Sequence, residues 1–101
     1  MIMQIELPQA ALRQFCQRHH IKKLSVFGSV LRPDFSAESD VDFLVEFQAD
    51  HIPGLIRLAG LELELSNLIH REVDLRTPND LSRYFRDDVL RTAVVQYDSA
   101  Q

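Results

Sequence analysis

The sequence has little cysteine and no long apolar run. Its 101 residues include one cysteine, Cys16, so no disulfide can form within the chain, and this favours a reducing compartment. No apolar stretch approaches the length that spans a membrane. The first residues, MIMQIELPQAALRQF, have neither a basic region nor a long apolar core. We therefore expect no signal peptide, no membrane association and a cytoplasmic location.

Positive charge is also scarce. Eleven Lys and Arg residues stand against fifteen Asp and Glu residues, which gives a formal net charge of −4. A surface that coats nucleic acid needs clustered Lys and Arg, so we expect no direct binding of nucleic acid. A nucleotide carried with a metal ion is still compatible with this charge, because the cation supplies the positive charge.

The chain has only three glycines, Gly28, Gly54 and Gly60. Neither the P-loop pattern G-x-x-x-x-G-K-[ST] nor the dinucleotide-binding pattern G-x-G-x-x-G is present. Ser29 does not lie in a G-x-S-x-G nucleophile elbow either. A phosphate-binding site in this chain must therefore use another arrangement.

Hydrophobic periodicity predicts alternating helices and strands. The predicted helices cover about Pro8 to His19, Leu55 to Ile69, and residues 79–93 in one or two segments with Asn79 or Asp80 as N-cap. The predicted strands lie at about Lys23 to Phe27, 40–47 and 71–77, and residues 94–97 are a last extended piece or the end of the last helix. This order predicts an α/β (α+β) two-layer sandwich, a small mixed sheet with helices, in one domain over residues 1–101.

Three aspartates lie in the second and third predicted strands. Asp40 and Asp42 are two residues apart, so on a strand they project from the same face. Such carboxylates repel each other unless a cation lies between them, and a pair of Mg²⁺ ions would fit. Asp74, between Val73 and Leu75, would face the same metals or take a proton from a hydroxyl if the third strand lies beside the second. Taken singly, the D-x-D pair is better interpreted as the solvated start of a strand, and Asp74 as a surface residue of an edge strand.

Gly28 and Ser29 follow the first predicted strand and can open a short helix. Glycine lets the backbone approach a ligand closely, a helix N-terminus offers free N–H groups to an anion, and the Ser29 hydroxyl adds a donor. The pair could hold the phosphates of a nucleotide, or it could be a plain turn with Ser29 as N-cap. Its coincidence with three aspartates favours the phosphate interpretation.

The stretch FGSVLRPDFSAESDVDF, from Phe27 to Phe43, resembles the DNA polymerase β-type nucleotidyltransferase superfamily. The resemblance consists of Gly-Ser, ten residues, Asp-x-Asp, and a third aspartate on a later strand. The short chain is similar to the minimal nucleotidyltransferases, the MNT group, over nearly its whole length. The resemblance implies a polymerase β-like nucleotidyltransferase fold.

The resemblance also implies a role for each residue of the pattern. Gly28 and Ser29 would bind the triphosphate, Asp40 and Asp42 would hold two Mg²⁺ ions, and Asp74 would complete the site of the metal that activates the attacking hydroxyl. That hydroxyl would attack the α-phosphate of a nucleoside triphosphate, ATP, and pyrophosphate would leave.

The turn after the first strand departs from the family pattern Gly-Ser-Xaa-Ala-Arg-Gly. Leu31 replaces the alanine and Pro33 replaces the glycine, whereas Arg32 is kept. Arg32 is therefore a further candidate for binding the nucleotide. Pro33 stiffens a turn that glycine would leave free.

Family members of this size are often encoded beside a HEPN-domain protein and act as the antitoxin of a toxin–antitoxin pair. The resemblance implies Mg²⁺-dependent transfer of AMP from ATP to a tyrosine hydroxyl of a HEPN toxin partner. A chain of this size leaves little room for an acceptor-binding domain, so we expect the acceptor in trans. Two alternatives stay open: an antitoxin that neutralises its partner by binding alone, and an enzyme acting on a small molecule such as an aminoglycoside.

Overall fold

The computed structural model of the chain describes residues 7–33, 35–36 and 39–100. Its α-helices and strands follow in the order α1 (Gln9–Arg18), β1 (Ile21–Phe27), β2 (Val41–Phe47), α2 (Leu55–Ile69), β3 (Val73–Arg76), α3 (Arg83–Thr92) and β4 (Val94–Asp98). This order confirms the predicted α/β architecture, although β1 begins earlier than predicted. The last piece of chain is extended and forms β4.

The strands form one mixed sheet in the order β3-β2-β1-β4. β1 is antiparallel to both of its neighbours, β2 and β4. β2 and β3 are parallel and are joined through α2, as expected for a strand-helix-strand unit. β3 therefore lies directly beside β2, which is the condition under which Asp74 was expected to face the same metals as Asp42.

The core lies between the sheet and the helices. Val41, Phe43 and Val45 alternate along β2 and are fully buried with side chains of β1, α1 and α2. Burying each large apolar side chain stabilises the fold by about 1.5–3 kcal/mol. Since successive strand residues point to opposite faces, Asp42 and Leu44 lie on the other face of the sheet, away from this core.

The segment between β3 and β4 covers part of this other face. A 3₁₀ helix, Pro78–Asp80, contacts β2, and both Leu81 and Leu44 are buried outside the main core. No residue of α3 is buried. None of the helices in the described ranges is long and apolar enough to cross a membrane.

The predicted N-cap of the last helix is wrong. Ser82 caps α3, because its hydroxyl accepts a hydrogen bond from the N–H of Tyr84 at 3.2 Å. The Asp80 carboxylate instead accepts a bond from the N–H of Thr77 at 3.1 Å, within the preceding 3₁₀ turn. Asn79, Asp80 and Ser82 are all residue types that cap helices, so the sequence did not distinguish them. The buried Leu81 separates the 3₁₀ turn from α3.

Candidate functional site

Asp42 and Asp74 occupy matching positions on two neighbouring strands. In the parallel pairing of β2 and β3, Asp42 lies opposite Asp74, so the two side chains project from the same face of the sheet. Neighbouring strands are about 4.8 Å apart. In β1 the partner of Asp42 is Phe27, the residue before Gly28. The sheet therefore brings two of the three predicted carboxylates together beside the Gly28-Ser29 turn.

Gly28 is required here by its conformation and by its surroundings. Its φ angle is +73°, in the region that side chains of L-residues rarely adopt. A Cβ built on it would lie 2.5 Å from Oδ2 of Asp42. The absence of a side chain at Gly28 is what allows the turn to approach the Asp42 carboxylate.

Ser29 binds the acidic segment through both of its donors. Its backbone N–H donates to the Asp42 carboxylate, and its hydroxyl donates to the carbonyl oxygen of Asp40 at 3.1 Å. To bind a phosphate, Ser29 would have to exchange these internal partners for phosphate oxygens, and its role in holding the triphosphate stays a prediction. The two hydrogen bonds attach the four-residue 3₁₀ helix Gly28–Leu31 to the start of β2.

Asp40 does not lie on the strand. β2 begins at Val41, and the Asp40 residue is exposed. The strand thus begins one residue later than predicted, and the charge of Asp40 still acts on Asp42, where it helps to raise the pKa of that carboxyl. The position of Asp40 depends on the contacts of the loop that ends in it.

The Asp74 carboxylate forms an ion pair with Arg76. Arg76 Nε donates to Oδ1 and Arg76 Nη2 donates to Oδ2, each at 3.1 Å. Burial, and then the charge of Asp74, raise the pKa of Asp42, whereas the N–H of Ser29 and the charge of Arg76 lower it. Ionised Asp42 is therefore held in an environment that disfavours its charge.

The three aspartates do not form a preassembled metal cluster. In the part of the chain that the structure describes, no three His, Cys, Asp or Glu side chains are grouped as a metal site. Asp40 lies just before β2, and the Arg76 guanidinium is paired with Asp74. Asp42 and Asp74 remain as a pair of adjacent oxygen donors.

The departures at Leu31 and Pro33 are accommodated locally. Leu31 is partly buried and packs against the core, so the larger side chain fills space instead of disturbing the turn. Pro33 is exposed, and the residue before a proline is biased toward extended backbone. Arg32 is extended, with φ −109° and ψ 148°, so the 3₁₀ helix ends there.

Arg32 is exposed at the rim of a cavity beside the turn. The cavity measures about 290 Å³ and lies between the turn and α3; its lining residues are Phe27, Gly28, Leu31, Arg32, Asp88, Val89 and Thr92. Arg32 therefore lies on the same turn as Gly28 and Ser29.

Arg71 is a residue whose position the sequence did not reveal. It follows the left-handed end of α2 at His70, and its guanidinium donates to the carbonyl oxygens of Ser36 and Ser39 at 2.7 and 3.2 Å. It also lies 4.6 Å from the ring centre of Phe35. Arg71 therefore holds the loop that delivers Asp40.

Replacing Arg71 with alanine should loosen this loop. We expect Arg71→Ala to lower the free energy of unfolding by about 1–3 kcal/mol, because charged hydrogen bonds to two carbonyls and a ring contact are lost. Urea unfolding measures this, with the exposed Arg57→Ala on α2 as a matched control that should change stability by less than about 0.5 kcal/mol. Equal urea midpoints for Arg71→Ala and the wild-type chain would contradict the stabilising role of Arg71 in this loop.

Comparison with known proteins places the chain in a family. The nucleotidyltransferase domain model matches residues 9–96. The protein adenylyltransferase MntA of Thermococcus cleftensis is 34% identical over 82 residues, which are 81% of this chain and 81% of that protein. A candidate protein adenylyltransferase of Methanocaldococcus jannaschii is 36% identical over 77 residues, 76% of this chain and 81% of that one.

Solved structures agree with the family assignment. A candidate minimal nucleotidyltransferase is 35% identical and superimposes with a TM-score of 0.70 over 85% of this chain and 86% of that one. A toxin–antitoxin structure with AMP-PNP superimposes with a TM-score of 0.74 over 92% of this chain and 75% of that one, and at 17% identity this likeness shows the fold alone. The chain therefore belongs to the nucleotidyltransferase domain family, as a minimal nucleotidyltransferase and an enzyme of that kind.

Proposed function

We propose that this chain is an antitoxin that transfers AMP from ATP to a tyrosine hydroxyl of a HEPN-domain toxin. In this proposal residues 1–101 act as a single nucleotidyltransferase domain, in the cytoplasm. The observation that carries it is the meeting of Asp42, Asp74 and the Gly28-Ser29 turn at one end of the sheet face that lies away from the core.

The relatives support the substrate and the partner. The Thermococcus cleftensis relative is named a protein adenylyltransferase. Among solved structures of the same fold, one is a toxin–antitoxin with AMP-PNP, and another is a tri-AMPylated HEPN toxin of Shewanella oneidensis in complex with an MNT antitoxin. These descriptions belong to those proteins, and they indicate which nucleotide and which partner to test with this chain.

The donor set is suited to a hard divalent cation. Asp42 and Asp74 offer carboxylate oxygens on one face, which Mg²⁺ prefers, and the raised pKa of Asp42 reflects burial and a neighbouring negative charge that a cation would compensate. Asp42, Asp74 and, from the loop, Asp40 would hold two Mg²⁺ ions. When bound, the ions would supply positive charge that stabilises the transition state at the α-phosphate.

The residues of the chain would divide the remaining work. Because Gly28 lacks a side chain, the turn lies close to the Asp42 carboxylate, so a triphosphate held there by the Ser29 donors and Arg32 would lie near the proposed metal ligands. The Asp74 carboxylate would accept the proton of the attacking tyrosine hydroxyl. A bond forms between the tyrosine oxygen and the α-phosphorus, the bond to the oxygen that bridges to the β-phosphorus breaks, and pyrophosphate leaves.

The test is label transfer with ATP labelled in two positions. The chain is incubated with Mg²⁺, a HEPN-domain protein and ATP carrying the label at either the α- or the γ-phosphate. We expect the α-label on the HEPN protein, no γ-label, and no transfer with Asp74→Asn. Absence of α-label with the wild-type chain would contradict the proposal.

The binding-only alternative has a separate outcome in cells. If Asp42→Asn or Asp74→Asn still neutralises the toxin as well as the wild-type chain does, the toxin is silenced by complex formation alone. We expect both variants to lose protection against the toxin. An exposed aspartate of α3, in Asp87→Asn, serves as the control that keeps protection.

Exposed apolar side chains on α2 and the preceding loop support a protein partner. Ile52, Leu55, Ile56 and Leu63 are 73%, 84%, 91% and 65% exposed. Ile56 and Leu63 are seven residues apart and so lie on the same side of α2, next to Leu55, and a group of exposed apolar side chains is typical of a surface that binds another molecule. We propose that the HEPN partner covers this surface, which we call the α2 patch.

Polar substitution in the α2 patch should weaken the complex without harming the fold. We expect the double variant Leu55→Ser, Ile56→Ser to bind the HEPN protein at least about tenfold more weakly, as for central apolar anchors of an interface. Its melting temperature should stay close to that of the wild-type chain, because both side chains are exposed in the isolated chain. Calorimetric titration measures the affinity, and Arg57→Ser, at the next residue of α2, is the control that should bind normally. An unchanged affinity of the double variant would mean that the HEPN protein contacts another surface.

A further inference from the structure

One guanidinium engages both oxygens of the Asp74 carboxylate. Nε of Arg76 binds Oδ1 and Nη2 binds Oδ2, at 3.1 Å each. Such a bidentate pair fixes the orientation of the carboxylate as well as compensating its charge. Asp74 can therefore turn an oxygen toward another cation only when at least one of these bonds opens.

Strand geometry keeps this guanidinium beside the acidic pair. Residues 74 and 76 project from the same face of β3, and Arg76 lies opposite Leu44, the next residue on that face of β2 after Asp42. The charge of Arg76 also acts on Asp42. Arg76 is thus a positive charge that the chain itself places against Asp42 and Asp74.

The pair is exposed enough to exchange partners. The side chains of Arg76 and Asp74 are 47% and 37% exposed, and ion pairs at such positions contribute little net stability. Arginine has a long flexible side chain that can move into solvent. A divalent cation carries twice the charge and can replace the guanidinium on an oxygen ligand.

We propose that Arg76 is a positioning residue: its guanidinium takes the place of a cation on Asp74 and competes with the divalent metal for that carboxylate. The inference rests on the proposed function, in which Asp74 faces the metal. It explains how the Asp74 carboxylate stays oriented next to Asp42 before the substrate arrives. Metal binding then includes displacement of Arg76, and removing the guanidinium should make metal binding tighter.

The experiment measures Mn²⁺ binding to the full chain without nucleotide, from the electron paramagnetic resonance signal of free Mn²⁺. We expect Arg76→Gln to bind Mn²⁺ about three- to tenfold more tightly than the wild-type chain, because a competing and repelling positive charge is gone. Arg76→Lys keeps the charge but loses the bidentate fork, so its affinity should fall between the two. Arg13→Gln, the same change of charge on α1, which packs against the other face of the sheet, should change the affinity by less than about twofold.

A gain of affinity separates this role from a merely structural one, because damage to the site would weaken binding. Unchanged or weaker Mn²⁺ binding by Arg76→Gln, together with weaker binding by Asp74→Asn, overturns the competing role and leaves the proposed metal site standing. Mn²⁺ binding that neither Asp42→Asn nor Asp74→Asn weakens contradicts the proposed function, and the inference with it. If Arg76→Gln fails to fold, Arg76→Lys decides by the same criterion.

Discussion

Asp42→Asn should abolish nucleotidyl transfer and, in the absence of metal, make the chain more resistant to heat. Transfer should fall at least about a hundredfold, the usual cost of removing one group that stabilises a transition state. The gain in stability follows from the site itself. Burial and the charge of Asp74 raise the pKa of Asp42, so ionised Asp42 destabilises the fold, whereas asparagine can still accept the bond from Ser29.

The pH dependence gives this prediction a sign that can be checked. Because the pKa of Asp42 is higher in the folded than in the unfolded chain, the folded chain binds the extra proton between the two values, and stability falls as pH rises through the folded pKa. Asp42→Asn lacks this loss. The melting temperatures of the wild-type chain and Asp42→Asn should therefore converge at pH values below the ordinary pKa range of an aspartate. Toward neutral pH they should separate, with the higher melting temperature for the variant.

Thermal unfolding across pH, without metal, measures this difference. Asp87→Asn, at an exposed position of α3, is the control that should show no separation between acidic and neutral pH. Adding Mg²⁺ with AMP-PNP should raise the melting temperature of the wild-type chain more than that of Asp42→Asn, because a ligand stabilises the state that binds it. A variant that melts below the wild-type chain at neutral pH without metal would contradict the electrostatic account of Asp42.

Gly28→Ala should lose both activity and stability. A side chain at φ +73° is strained, and its Cβ would lie 2.5 Å from Oδ2 of Asp42, so the turn or the carboxylate must move. We expect unfolding to become about 1–3 kcal/mol more favourable. Transfer should fall about a hundredfold, because a small displacement of a positioned group has that effect on rate.

Gly60→Ala is the matched control. Gly60 lies within α2, and a Cβ there would meet nothing within 4 Å. The same substitution should therefore stabilise the chain by about 0.5–1 kcal/mol, since alanine favours a helix more than glycine does. Urea unfolding of both variants should thus give changes of opposite sign.

A double variant separates the clash from the backbone strain. Asp42→Ala removes the carboxylate that the new Cβ would meet, so Gly28→Ala should cost less stability in that background than in the wild-type chain. The two substitutions should therefore be non-additive, as contacting residues are. Additive costs would mean that the approach of the turn to Asp42 does not constrain residue 28.

Much of the frame of the site was accessible from the sequence. The period-two pattern of β2 separated the apolar face of Val41 and Phe43 from the face of Asp42, and a helix predicted from Leu55 to Ile69 favoured a parallel pair of β2 and β3. The prediction that Asp74 faces Asp42 depended on these two strands being neighbours, and the pairing of the strands meets that condition. The helix bounds agree because α2 has a broad apolar face.

The connections of the site were less accessible. A D-x-D pattern does not tell which of its residues begins a strand, and Asp40 lies just outside β2. Arg71 contacts carbonyl groups more than thirty residues away in the sequence, and side-chain to main-chain contacts of that range leave no periodic signal. The bonds from Ser29 to Asp40 and Asp42 depend on the closing of the same loop.

The most direct test of the account is the intact mass of the HEPN protein purified after coexpression with this chain. Coexpression with the wild-type chain should add one or more AMP units to its mass, with fragmentation placing them on tyrosine. Coexpression with Asp42→Asn or Asp74→Asn should leave the mass unchanged, while coexpression with Asp87→Asn should match the wild-type chain. An unmodified HEPN protein that copurifies with the wild-type chain would contradict nucleotidyl transfer as the action of this site.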